Sequence, residues 1–224
     1  SRNGEEEYLL WYHPFETSSV FGDWNNGNRH PIVPQSVEDP ELFNTDSYSK
    51  YRGALVLRLL RLELGEATFF KTIRELFKKF AFQPVSTRQY QELVSRIAGK
   101  DMHWFFDQWI YHTGHPVFEF NQAFDSVRKK LKLQIRQVQQ ADTSIQSLYT
   151  GYFQGKMEVE IGDQKRIVQL LPRALNEFEF DLPAAPVFVN LDMHQQWISE
   201  IQMSRTSEVW LRILKDSRDV LAKN

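Results

Sequence analysis

Residues 99–118 read Gly99-Lys100-Asp101-Met102-His103-Trp104-Phe105-Phe106-Asp107-Gln108-Trp109-Ile110-Tyr111-His112-Thr113-Gly114-His115-Pro116-Val117-Phe118. Ala98 and Gly99 close one helix, and Asp101 caps the next, which is expected over Asp101 to His112. Trp104, Phe105, Gln108 and Trp109 fall at helical spacing on it. Thr113, Gly114 and Pro116 stop that helix, and Val117, Phe118 and Phe120 open an extended segment. A helix this rich in Trp and Phe, feeding straight into a strand, marks a buried junction between a helical unit and a β unit.

Upstream of the junction the period is helical. Tyr51, Leu55, Leu59 and Leu62 form one row, and Gly65 stops that helix. Glu66 to Phe80 carries Phe69, Phe70, Ile73, Leu76, Phe77 and Phe80 on one face, and Pro84 breaks it. Ser86 or Thr87 caps a further helix through Ala98, with Tyr90, Leu93, Val94 and Ile97 apolar. Short connectors between consecutive helices predict a helical bundle. Earlier still, Glu5 to His13 reads as the last turns of a helix ended by Pro14. Residues 14–44 hold Gly22, Gly27, Pro31, Pro34 and Pro40 and little periodicity. They predict a long ordered loop, pinned by Phe21 and Trp24.

Downstream the period changes to two. Val117, Phe118 and Phe120, then Leu131, Leu133, Ile135 and Val138, then Met157, Val159 and Ile161 interleave with polar residues. Ile167–Leu171, Phe178–Leu182 and Val187–Leu191 are further strands. Turn signals lie at Asp125-Ser126, Gly162-Asp163 and Pro183 to Pro186. Many short strands separated by turns predict an antiparallel sandwich. Gln139 to Thr150 reads as a loop. Thr206 or Ser207 caps a last helix carrying Val209, Trp210, Ile213 and Leu214. The fold class is therefore α+β: a helical unit over 1–115 with the loop at 14–44, a β-sandwich over 116–203, and the start of an α-helical region over 204–224.

Composition narrows the function. With 27 Lys+Arg against 29 Asp+Glu, the net charge of -2 argues against nucleic acid or a membrane surface as partner. The basic cluster Arg128, Lys129, Lys130 and Lys132 reads as a solvated turn between strands, with a phosphate-binding patch as the alternative. With no cysteine, disulfides, thiolate catalysis and cysteine-based zinc sites are excluded. No apolar run is long enough to span a bilayer. No signal peptide is read at the amino terminus, but that start looks like an excised piece of a longer protein, so the compartment is unknown, with a soluble protein, cytoplasmic or periplasmic, as the expectation. Of the six histidines, only His112 and His115 approach metal-ligand spacing, and Gly114 and Pro116 interrupt the helix there. The phosphate-cradling glycine loop and the Gly-x-Ser-x-Gly elbow are absent. Asp107 reads as a capping or ion-pairing residue, and the residues alone support no catalytic mechanism.

The order of elements resembles the zinc aminopeptidase family that includes alanyl aminopeptidase and leukotriene hydrolase. The resemblance runs from about His30 onward and is strongest between Asp39 and Phe118. Asn28-Arg29-His30-Pro31-Ile32 resembles the loop before that family's tyrosine helix. Gly53-Ala54-Leu55-Val56-Leu57 with Leu64-Gly65-Glu66 resembles the helix itself, and Gly99 to Pro116 is the most specific match. Val187-Phe188-Val189-Asn190-Leu191-Asp192 resembles the last sandwich strand. The resemblance implies a helical subdomain ending a thermolysin-like domain, then a small β-sandwich, then an α-helical superhelix.

In that family a His-Glu-x-x-His helix and a downstream Glu hold zinc, with the motif Glu as general base. A tyrosine in Tyr-x-Lys-Gly-Ala donates to the developing oxyanion. His-Glu-x-x-His does not occur in these 224 residues. Asn3-Gly4-Glu5-Glu6-Glu7-Tyr8 mimics the stretch around the third ligand, placing Asn3 at the zinc-Glu position. The tyrosine motif is displaced too. Three residues before Gly53 stands Lys50, Tyr51 follows it, and Tyr48-Ser49-Lys50 reproduces Tyr-x-Lys two residues early. Tyr48, Lys50 and Tyr51 are the candidate catalytic residues the resemblance offers.

Two expectations follow. One is the carboxy-terminal portion of a zinc-dependent aminopeptidase that cleaves N-terminal residues from peptides. There the parent holds zinc, this chain binds none, the peptide substrate engages the missing amino-terminal part, and the piece is inactive alone. The alternative is a non-catalytic aminopeptidase-like scaffold for protein–protein interaction, which the displaced tyrosine favours. An exposed apolar face on the helical part is expected to support a dimer.

Overall fold

The computed structural model describes residues 4, 7–33, 47–142, 144, 145 and 147–202. The chain divides into two compact units, one of residues 1–16, 115–141 and 150–224, the other of residues 17–114 and 142–149.

A π turn over Tyr8–Tyr12 leads into α1 (His13–Asn25). The loop expected over 14–44 is therefore helical as far as Asn25, and Pro14 ends nothing. The widened turn explains this: the His13 N–H reaches back to the Tyr8 carbonyl, so the register has already slipped where proline lacks its donor. Gly22, Ser18, Ser19 and Asp23 make the segment look loop-like, but Val20 is buried. The chain leaves the helix through Gly27 at φ +89°. Residues 26–33 carry no helix or strand, as expected of the loop, and its remaining part, 34–44, lies outside the described residues.

The second unit is built on α2 (Ser47–Leu64), α3 (Glu66–Lys79), α4 (Thr87–Ala98) and the short α5 (His103–Phe106). Gly65 separates α2 from α3 in a left-sided conformation at φ +78°. Ser86 accepts from the Gln89 N–H while Gln89 reaches back to the Ser86 N–H, a complete capping box on α4. Gly99 closes that helix at φ +67°. Asp101 accepts the His103 N–H at 2.9 Å, but the N-cap position of the next helix falls on Met102, one residue later than expected. Only four residues of that helix are α-helical, however; Asp107–Tyr111 form a π turn. The core of this unit holds Leu55, Val56, Leu59, Leu60, Phe69, Leu93, Val94, Met102, Phe105, Phe106 and Trp109. The buried face of α2 is turned from the expected row: Tyr48, Arg52 and Glu63 are inside with Leu55 and Leu59.

The other unit holds two sheets. One has the order β5-β2-β1-β7, the other β4-β3-β6. Their strands are β1 (Val117–Asp125), β2 (Lys130–Gln137), β3 (Gly155–Ile161), β4 (Gln164–Leu170), β5 (Leu175–Asp181), β6 (Val189–Leu191) and β7 (Glu200–Gln202). In β2, Leu131, Leu133 and Ile135 face inward, alternating with exposed or half-exposed residues. In β3, Met157, Val159 and Ile161 are buried, and so is Glu160 between the last two, so the alternation fails at that end of the strand. Gln137 links the strand end to the segment before β3, exchanging two hydrogen bonds with the Phe153 backbone at 2.7 and 2.8 Å.

The expected antiparallel order needs one correction. β7 pairs in parallel with β1, Val117 opposite Glu200, so Val187–Asp192 is followed by a further strand. The basic cluster sits on the β1–β2 turn and start of β2. There Asp125 takes the Val127 and Arg128 N–H groups. Arg128 faces Asp125, Lys130 pairs with Asp181 and Lys132 with Glu177, which is the solvated-turn reading. The last helix expected from Thr206 lies outside the described residues. No described helix is long and apolar enough to cross a membrane.

Candidate functional site

The three candidate residues occupy the first turns of α2 and point in different directions. Tyr48 is fully buried. Its hydroxyl lies 3.0 Å from Thr113 Oγ1, and its ring meets the His30 ring edge-on at 5.1 Å. Lys50 is exposed, with Nζ 5.7 Å from the Tyr51 ring centroid. Tyr51 is half-buried. The structure brings Tyr48 to the interior and leaves Lys50 in solvent, so the three do not converge.

What converges on Tyr48 is Arg52, one turn later on the same face. Its guanidinium carbon lies 5.7 Å from the Tyr48 ring centroid and 5.7 Å from that of Trp109. Nη2 donates to the Gly114 carbonyl at 3.0 Å. Nε and Nη1 have no acceptor among the described residues. Burial lowers the Arg52 pKa, with the neighbouring Tyr48 acting in the opposite sense.

The acceptor for Arg52 is held rigidly. Thr113 bridges to the 147–149 segment, its N–H to the Ser147 carbonyl and its carbonyl to the Tyr149 N–H, both at 2.9 Å. Gly114 sits at φ +99°, a conformation that strains any side chain, and a Cβ there would also press on the end of the Leu148 side chain, 2.7 Å from Cδ1. Sequence reading passed over Arg52. The available signal was a charged residue four positions after Tyr48, on a face that continues as Leu55 and Leu59.

The histidines are dispersed in structural contacts. His103 meets Gln91 at 2.8 Å. His112 Nδ1 lies 2.9 Å from the Asp107 carbonyl and 3.3 Å from its carboxylate. His115 pairs with Glu200 at 2.8 Å and His194 with Glu158. Among the described residues no three of His, Cys, Asp and Glu are grouped to hold a metal. The described residues therefore do not by themselves fit a zinc site.

Residues 8–109 match the Peptidase family M1 domain. A "Probable aminopeptidase 1" of Sulfurisphaera tokodaii is 33% identical over 116 residues, covering 50% of this chain and 14% of that protein. Aminopeptidase N of Lactococcus lactis is 32% identical over 98 residues, covering 42% of this chain and 12% of that protein. The chain thus spans only a small part of the length of these relatives. The crystal structure of Legionella pneumophila aminopeptidase A in complex with aspartic acid shares the fold, with a TM-score of 0.66 over 82% of this chain and 21% of that one, at 16% identity. Residues 8–109 are thus similar to the aminopeptidases of peptidase family M1.

Proposed function

We propose that this chain is the carboxy-terminal portion of a zinc-dependent aminopeptidase-like hydrolase that removes N-terminal residues from peptides. In this reading the zinc ligands and general base come from a segment outside residues 1–224. This chain supplies the helical frame around α2 and a β-sandwich, and is inactive alone. The observation that supports the reading most is the M1 match over residues 8–109, with aminopeptidases as the relatives. The test compares the purified 224-residue polypeptide with its full-length parent on alanyl and leucyl anilides. The expected result is turnover by the parent, lost on chelation of zinc, and none by the polypeptide. Measurable hydrolysis by the polypeptide alone would sink the reading.

A second reading, a non-catalytic scaffold of the same fold, is favoured by the placement of Tyr48. Its hydroxyl is buried and engaged by Thr113, while Lys50 stands where the family carries its tyrosine. A parent that lacks anilide turnover and retains the fold supports the scaffold. A parent whose turnover falls sharply on Tyr48→Phe or Lys50→Ala supports the enzyme.

A further inference from the structure

Among the described residues, the first turn of α2 carries positive charge and no negative charge. A helix amino terminus holds the equivalent of about half a positive charge, and acidic residues at this position are the usual compensation. The first turn of α2, Ser47-Tyr48-Ser49-Lys50, contains none and instead contains Lys50. Arg52 adds a second full charge. Its side chain leans back along the helix, as helical side chains do, so that the guanidinium stands over the Tyr48 ring in that first turn.

Arg52 is also fully buried. A guanidinium keeps its proton in a protein, and a buried unpaired charge is far costlier than a paired one. Tyr48 and Trp109 offer ring faces and Gly114 one carbonyl. None of these is an anion, and the Nε and Nη1 donors have no acceptor among the described residues.

We propose that Arg52 and the amino-terminal turn of α2 form a binding site for one carboxylate group. Arg52 is the buried cation at this end of the helix, and its planar donor set suits the planar carboxylate. The carboxylate is either that of a small free acid or that of an acidic side chain of the protein itself; the chemistry at Arg52 is the same. The site stands independently of the peptidase reading, because it uses only the charge and hydrogen-bond state of α2.

The experiment follows the thermal midpoint of this chain during titration with sodium acetate or sodium succinate, against sodium chloride at matched ionic strength. The same series is run on Arg52→Lys, which keeps the charge and loses the fork. A free acid gives a saturable rise that chloride does not reproduce, weakened by about tenfold or more in Arg52→Lys. An acidic side chain of the protein gives no such rise. It gives instead a midpoint deficit in Arg52→Met that narrows from neutral pH to about pH 4, as the orphaned carboxylate becomes neutral. If Arg52→Met does not fold, the neutral and polar Arg52→Gln takes its place in the pH series. No saturable rise together with a deficit that is absent or independent of pH overturns the site.

Discussion

The Tyr48 and Thr113 hydroxyls pair in the interior at 3.0 Å, and each loses water to do so. Removing the Tyr48 hydroxyl leaves Thr113 Oγ1 short of that partner, so Tyr48→Phe is expected to cost about 0.5–1.5 kcal/mol, read by urea unfolding. A near-zero change would mean that Thr113 finds another acceptor. Glu158 makes a different kind of prediction. Burial pushes its carboxyl up, but the His194 hydrogen bond and charge, with Lys165, pull harder and leave it below the ordinary carboxylate value. A depressed folded-state pKa contributes stability above the unfolded value of about 4.3 and loses it as pH falls through the folded value. Glu158→Gln is therefore expected to flatten the acid limb of unfolding free energy against pH. An unchanged acid limb would assign that limb to other carboxylates.

At the scale of elements, what was legible in the sequence was what local chemistry decides. Ser86 and Gln89 announce α4 because a capping box needs only four consecutive residues, and Gly65 and Gly99 mark helix ends because only glycine takes those φ values cheaply. The alternation in β2 was plain because one face is buried along its whole length. The rest depended on distant partners. β7 is three residues long and exists through parallel pairing with β1, which no local pattern encodes. The π turns at Tyr8–Tyr12 and Asp107–Tyr111 share composition with α-helix, so the helical character of residues 14–25 stayed hidden behind Pro14. Arg52 was missed for the same reason, since its burial comes from Trp109 and Gly114, far along the chain. Two substitutions test this division. Ser86→Ala should cost about 1 kcal/mol and speed hydrogen exchange at the Gln89 amide. Gly114→Ala should cost more than Ser86→Ala in the same denaturation assay. Its Cβ adds left-handed strain to the Leu148 overlap, and a smaller loss would show that the 147–149 segment yields easily.

At the scale of the whole molecule, large apolar side chains remain in solvent after folding. On α3, Phe70 and Phe77 stand seven residues apart on one side of the helix and are 43% and 71% exposed; Phe82 just beyond it is fully exposed. Single exposed aromatics are ordinary, but several within one short stretch favour association, because each contact made between molecules removes apolar surface from water. The net charge of only -2 supplies little repulsion to oppose this. The isolated chain is accordingly expected to self-associate in a concentration-dependent way in sedimentation velocity, more strongly at high salt. Phe77→Asp combined with Phe82→Asp should shift it toward monomer without lowering its thermal midpoint, since neither side chain belongs to the core. A wild-type chain that stays monomeric at high protein concentration would show these aromatics to be too dispersed to act as a surface. A double variant that unfolds early would place them in the core instead.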